Sequence, residues 1–428
     1  MSPLKLDGRP RFRRRSTTDI EDYFAGPKEY DRHSKWPIFM RLHGSILPEM
    51  ILPLIVVGCW STAITVISEL VTPLGISNVL LTVLGFVVGL ALSFRSSTAY
   101  ERYAEGRKYW GQLIQTAQTL ARTIWIHVHE REETYTEDLL GKVTALNLIV
   151  AFCIALKHRL RFEPFIHYDD ICGLVDHLDT FARDASDIDG GNEKRHGLLK
   201  ATGQYLGVSF AESNPRKVMK KATKPLGNLP LEILSYLSIY IETSMRDEML
   251  RTSMFQVHAA NSISTFNEVL VGCERVLNTP LPTAYTIAIA QITWLYIIIL
   301  PFQLVGTLNW IAIPGSLVAA YIILGLALIG REIENPFGRD VNDLPLDQFC
   351  DVLSEEIDTI MSIKMPTPNE WMKVPENKVL YPISNSSFAA WNARGEKAVR
   401  EALSSKAKMG FQTKKSMQEN RVDSDQTA

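Results

Sequence analysis

Residues 70–115 read LVTPLGISNVLLTVLGFVVGLALSFRSSTAYERYAEGRKYWGQLIQ. No charged side chain occurs from Leu70 through Phe94, charges recur from Arg95 onward, and no proline follows Phe94 until Pro164. About 20 apolar residues cross a hydrocarbon core of about 30 Å as a helix. The stretch therefore predicts a membrane span that leaves the bilayer and continues as the same helix in water. Beyond the boundary, Trp110, Leu113, Ile114, Ala117, Leu120, Ala121 and Ile124 recur with helical period, which requires one buried face.

Working outward, residues 50–68 and 276–330 are also free of charged side chains. The first stretch holds one span; the second is long enough for two, with a turn marked by 309–314. The expected architecture is all-α, with four membrane helices at about 50–68, 72–94, 282–302 and 311–330 and cytosolic helices within 95–275. A mean hydropathy of +0.01 conceals this unevenness. Residues 138–161 predict a further helix whose charge-free centre, 143–156, is too short to span comfortably and so reads as buried in protein. Residues 164–230 are polar, with a loop signal at 189–192, and helical periodicity resumes over 231–274. The organisation expected is a basic N-terminal segment (1–45), a channel-like domain (46–345), a cytosolic C-terminal segment (346–406) and a disordered tail (407–428).

The net charge of −2 and pI near 6.5 give no case for nucleic-acid binding. Arg9, Arg11, Arg13, Arg14 and Arg15 precede the first span and predict a cytoplasmic N-terminus; an even number of spans returns the C-terminus to that side. Asp7, Asp19, Glu21 and Asp22 make the same region too acidic for a typical organellar transit peptide. The plasma membrane is the expected location, an organellar membrane the alternative. Five widely spaced cysteines fit isolated thiols better than a disulfide framework. No glycine-rich phosphate loop, Ser-His-Asp order or HExxH motif points to an enzyme. An ion-coupled transporter usually carries ionisable residues at the midplane of its spans, and these spans carry none.

Phe86, Leu90 and Phe94 fall at i, i+4 and i+8 and share one stripe of the second span, with Gly85 and Gly89 on its edge. Spacing alone assigns such a stripe to lipid or core as readily as to a pore. Arg95, Arg102 and Arg107 with Glu101 and Glu105 read as a helix-surface ion-pair lattice; the alternative has Arg95 facing an aqueous vestibule and concentrating anions. Asp340 and Asp343 offer the hard oxygens that calcium takes, although Asp343 could equally cap a helix beginning near Leu344, with Asp347 in its first turn. His127 and His129, two residues apart, lie on different helix faces and do not suggest a shared metal.

The run FRSSTAYERYAEGRKYWG at 94–111 resembles the signature of the bestrophin family, including its bacterial and fungal members. TPLPTAYT at 279–286 followed by WLYIIILPF at 294–302 looks like the start of that family's third span, and ENPFGRDVND at 334–343 resembles the segment after its last span. The resemblance runs over roughly 46–347. It implies a homopentamer whose second helices ring a central pore, an all-helical cytosolic vestibule, and a neck of three apolar residues ending just before the signature arginine. In this sequence those are Phe86, Leu90 and Phe94. Chloride or similar small anions, membrane lipid and other copies of the chain are the implied partners. No cofactor is required, calcium being the one ion that the acidic clasp of animal members brings to Asp340 and Asp343; Arg339 and Val341 stand where the animal form is acidic. The family also has cation-conducting members, so a cation-conducting homologue is the alternative, with an ion-coupled transporter behind it.

Overall fold

Proline placement and apolar run length set the helix boundaries. A computed structural model describes Pro37 and residues 44–76, 78–186, 225–363 and 367–426. The arginine run at 9–15 and the loop at 189–192 lie outside these residues. Among the described residues every element is helical. In chain order they are α1 (Leu47–Leu70), α2 (Asn78–Arg122) running into a π-turn (Thr123–His127), α3 (Tyr135–Leu160), α4 (Cys172–Val175), α5 (Phe181–Ser186) and α6 (Leu229–Arg246). There follow α7 (Ser253–Asn278), α8 (Thr283–Leu308), a 3-10 turn (Asn309–Ile311), α9 (Ala312–Glu332), α10 (Leu346–Ser362), α11 (Pro368–Met372) and α12 (Phe388–Gln426). Pro48 stands in the first turn of α1, where a missing N–H costs nothing. Asn309, at a positive φ of 48°, breaks the apolar block 283–332 into two helices.

Length and hydropathy would admit α3 as a span, with a mean hydropathy of 2.1, but packing decides otherwise. Of its apolar window 67% is buried inside the chain, against 22–28% for the other apolar segments. The spans are therefore α1, the first part of α2, α8 and α9, as the charge-free stretches predict. This is a membrane protein.

Two kinds of packing separate the layers. The half outside the membrane spans has one large core, in which α3 residues from Ala145 to Leu160 meet Trp110, Leu113 and Leu120 of α2, Leu237 of α6, Phe266 of α7 and Leu353 of α10. In the membrane half the contacts are small. Met50 and Val57 of α1 meet Ile297, Ala320 and Leu324, and Val88 and Leu92 of α2 meet Ile289. Lipid tails are as apolar as these side chains, so no hydrophobic drive enlarges the contacts between spans.

The chain divides into two compact units, residues 1–361 and 362–428. Helix α10 belongs to the first because Cys350, Leu353 and Ile357 enter its core. In the second unit α12 is helical through Gln426, bent at Gly395 (φ 78°), where low hydrophobicity predicts disorder after residue 407. Its lysine, glutamine, methionine and alanine are good helix formers, and Arg400 pairs with Glu396 one turn away (2.7 Å). All five cysteines are unbridged, Cys59 exposed on α1.

Candidate functional site: the outward face of helix α2

A helix of 45 residues rises about 67 Å at about 1.5 Å per residue. At about 100° per residue, its buried positions Val88, Leu92, Ala99, Trp110, Leu113 and Ala117 occupy one sector. In the membrane that sector packs on α8 and α9. Phe86, Leu90 and Phe94 lie about 170° away on the same ideal helix, and they are 73%, 47% and 58% exposed. The chain's own helices leave this aromatic stripe uncovered. Of the two glycines on its edge, Gly85 is used inside the chain: a Cβ there would meet the Tyr296 ring of α8 at 3.3 Å. Gly89 has nothing within 4 Å and faces outward.

Arg95 corrects the expectation of a vestibule-facing charge. It follows Phe94 by one residue and so lies about 100° around the helix, where it is 5% exposed. Its Cγ sits 3.4 Å from the position a Cβ would take at Gly330 of α9, and its Nε has no hydrogen-bond partner. The predicted surface lattice is corrected too, because Arg102, Glu105 and Arg107 reach other segments rather than one another. Arg107 lies 4.5 Å over the Phe349 ring of α10. Glu105 pairs with Arg275 of α7, whose Nη2 also donates to the Tyr109 hydroxyl (2.8 Å).

Arg102 does the most. Its Nε donates to the carbonyl of Glu334 (3.1 Å), its Nη2 to that of Val276 (2.6 Å), and its Nη1 to that of Thr279. One guanidinium thus ties α2 to the carbonyl end of α7, through Val276 and its cap Thr279, and to the loop after α9, through Glu334. The quoted runs that begin at residues 94, 279 and 334 meet at this side chain. Gly106 completes the junction, since a Cβ there would lie 3.0 Å from the buried Phe337 ring and 3.2 Å from Pro336.

The loop after α9 carries Asp340 and Asp343. Asp343 is buried, and its Oδ2 accepts the Asp340 backbone N–H (2.7 Å). It does not cap α10, which starts at Leu346. Burial, reinforced by the charges of Asp340 and Glu332, pushes its carboxyl up to about 8. Calcium takes about six to eight oxygen ligands. Among the described residues no three His, Cys, Asp or Glu side chains gather to hold a metal ion. As folded, the loop commits one oxygen of its buried carboxyl to the Asp340 amide.

Beside it lies a charged cluster that sequence spacing did not reveal. The two ring nitrogens of His158 face Glu163 (2.5 Å) and Asp170 (2.9 Å), and Lys157 bonds Asp170 (2.5 Å) and Asp347 (2.8 Å). Arg161 also pairs with Asp347 (2.9 Å), and Arg339 with Glu163. Burial opposes the charge on His158, but the bonds to Asp170 and Glu163 outweigh it and raise its pKa. Burial likewise opposes the charge on Asp170, yet His158 and Lys157 bring it down to about 2. The one sequence signal was Lys157-His158-Arg159 at the end of an otherwise apolar helix. His127, in the π-turn, stacks on Phe255 (3.5 Å), and the amide of His129 bonds the Met249 carbonyl; they share no site.

The family model described as Bacterial/Fungal Bestrophin protein matches residues 28–359. The chain belongs to the bacterial and fungal bestrophin family. It is 33% identical over 327 residues to the voltage-dependent anion channel-forming protein sll1024 of Synechocystis, covering 76% of this chain and 91% of that protein. The corresponding protein YneE of Escherichia coli K12 is 29% identical over 320 residues, covering 74% and 88%. A solved variant of a bacterial bestrophin homologue from Klebsiella pneumoniae shares the bestrophin fold, with a TM-score of 0.55 at 22% identity, covering 74% of this chain and all of that one. The match takes in α2 and the three runs joined at Arg102.

Proposed function

We propose that this bestrophin is the subunit of a homopentameric channel that passes chloride and similar small anions passively along an axis lined by α2. Phe86, Leu90 and Phe94 form its neck. The observation that carries the reading is the uncovered aromatic stripe diametrically opposite the packed face of α2. The similarity to voltage-dependent anion channel-forming proteins supports the sign of the permeant ion. Rings of apolar side chains in a narrow pore oppose wetting and gate without a moving plug. Aromatic rings have a positive edge, which offsets part of the dehydration of a large, weakly hydrated anion and does nothing for a small cation. The passage needs no cofactor. Both termini lie on the cytoplasmic side of the plasma membrane, following the arginine run before α1.

The test is flux from liposomes containing the full chain, with the triple replacement of Phe86, Leu90 and Phe94 by alanine beside it. Chloride should leave wild-type vesicles, and the triple variant should pass it faster with permeability ratios closer to unity. Reversal potentials that follow a sodium gradient and ignore chloride would make this a cation channel. Unaltered ratios in the triple variant would remove the stripe from the pore wall.

A further inference from the structure

The first six charged residues that follow the neck in α2 meet different fates. Arg95 is buried, Arg102 holds three carbonyls, Glu105 pairs with Arg275 and Arg107 stacks on Phe349. Glu101 and Lys108 are exposed and have no ion-pair or hydrogen-bond partner among the described residues. Bearing separates these two from the rest. Taking Leu90 as the centre of the neck stripe and about 100° per residue, Lys108 returns to the same bearing after five turns, and Glu101 lies about 20° from it. The four engaged charges lie about 60° to 140° away. Helix α2 runs unbroken through both positions, which places Glu101 about 10 Å and Lys108 about 21 Å beyond Phe94 along the axis. The small residues Ser97 and Ala104 share that bearing and are not buried, so nothing on α2 covers the two charges.

We infer that Glu101 and Lys108 line the vestibule as two successive rings of opposite charge and act on anion preference in opposite senses. The inference rests on the channel reading, in which copies of α2 surround the axis. Lys108, the deeper ring, raises the local concentration of anions. Glu101, at the inner mouth of the neck, lowers it and so limits how strongly the pore prefers anions.

The experiment reads reversal potentials of the full chain in planar bilayers under a potassium chloride gradient. Glu101→Gln should raise the chloride-to-potassium permeability ratio about threefold, the scale of a screened ring of charges at about 10 Å. Lys108→Gln should lower it by a smaller factor, and Glu101→Lys should exceed Glu101→Gln in the same direction. All three shifts should shrink at about 1 M salt, where the Debye length is about 3 Å instead of about 10 Å at 0.1 M. Unchanged ratios, or shifts of the same sign in Glu101→Gln and Lys108→Gln, overturn the inference. The alanine variant of the neck separates the two failures. If it alters permeability while the charge variants do not, only the rings are wrong; if it too matches wild type, the assignment of α2 to the pore falls with them.

Discussion

Arg102 shows how one side chain can hold a membrane protein's halves in register. Its planar fork satisfies three carbonyls from two segments far apart in sequence, Val276 and Thr279 on one and Glu334 on the other. A lysine keeps the charge but cannot reproduce the fork. Arg102→Lys should therefore cost about 2 kcal/mol, the scale of a charged hydrogen bond lost with its acceptor left unpaired. Thermal unfolding of the purified protein reads this, and an unchanged midpoint would mean that water replaces the lost donors. The motif containing Arg102 was visible in the sequence, but its role was not. An arginine near two glutamates on one helix reads as a local ion pair, and only packing reveals the carbonyls Val276, Thr279 and Glu334. Arg95 was misplaced for a related reason, because adjacency to Phe94 in sequence means about 100° of rotation in a helix.

At the scale of elements, the loop joining α9 to α10 is anchored by charge. Arg339 holds Glu163, Asp347 accepts from Lys157 and Arg161, and Asp343 is buried among acidic neighbours. For Asp343 the folded pKa is raised to about 8 from the ordinary 3.8, so folding takes up a proton between those values. Its contribution to stability is therefore lost as pH rises from about 4 to about 8, by at most about 1.4 kcal/mol per pH unit. Asp343→Asn removes that dependence. The variant's melting point should match wild type near pH 4 and exceed it increasingly up to pH 8; a gap that stays constant with pH would show that the carboxyl is ionised in the fold. His158 adds to the loss at high pH, since its raised pKa makes its contribution complete below about 6.5 and lost as pH passes the folded value. It does so equally in both proteins, so the comparison isolates Asp343.

At the scale of the whole molecule, a chain that leaves Phe86, Leu90 and Phe94 uncovered needs either lipid or further copies of itself on that face. The proposed ring chooses the copies. In detergent the particle should have the protein mass of five chains by light scattering. A cysteine at Leu90, in a background where the exposed Cys59 of α1 is replaced by alanine, should react with a small charged thiol reagent added from the water and block current. A restored Cys59 with wild-type Leu90 should leave current unblocked, because that face of α1 meets lipid. A Leu90→Cys channel indifferent to the reagent would turn the stripe toward the bilayer.

Where the helices lie was legible in the sequence. The thickness of hydrocarbon and the period of a helix act on consecutive residues, so residues 70–115 alone announce a span that continues into water. The burial of α3 was legible as well, from the shortness of its charge-free centre. The tertiary structure decided which charges are engaged and which are left over. Lys157 meets Asp347 and Arg102 meets Val276 across long separations in the chain, and no local pattern encodes such pairs. For the same reason Glu101 and Lys108 became notable only after packing had accounted for every charge around them.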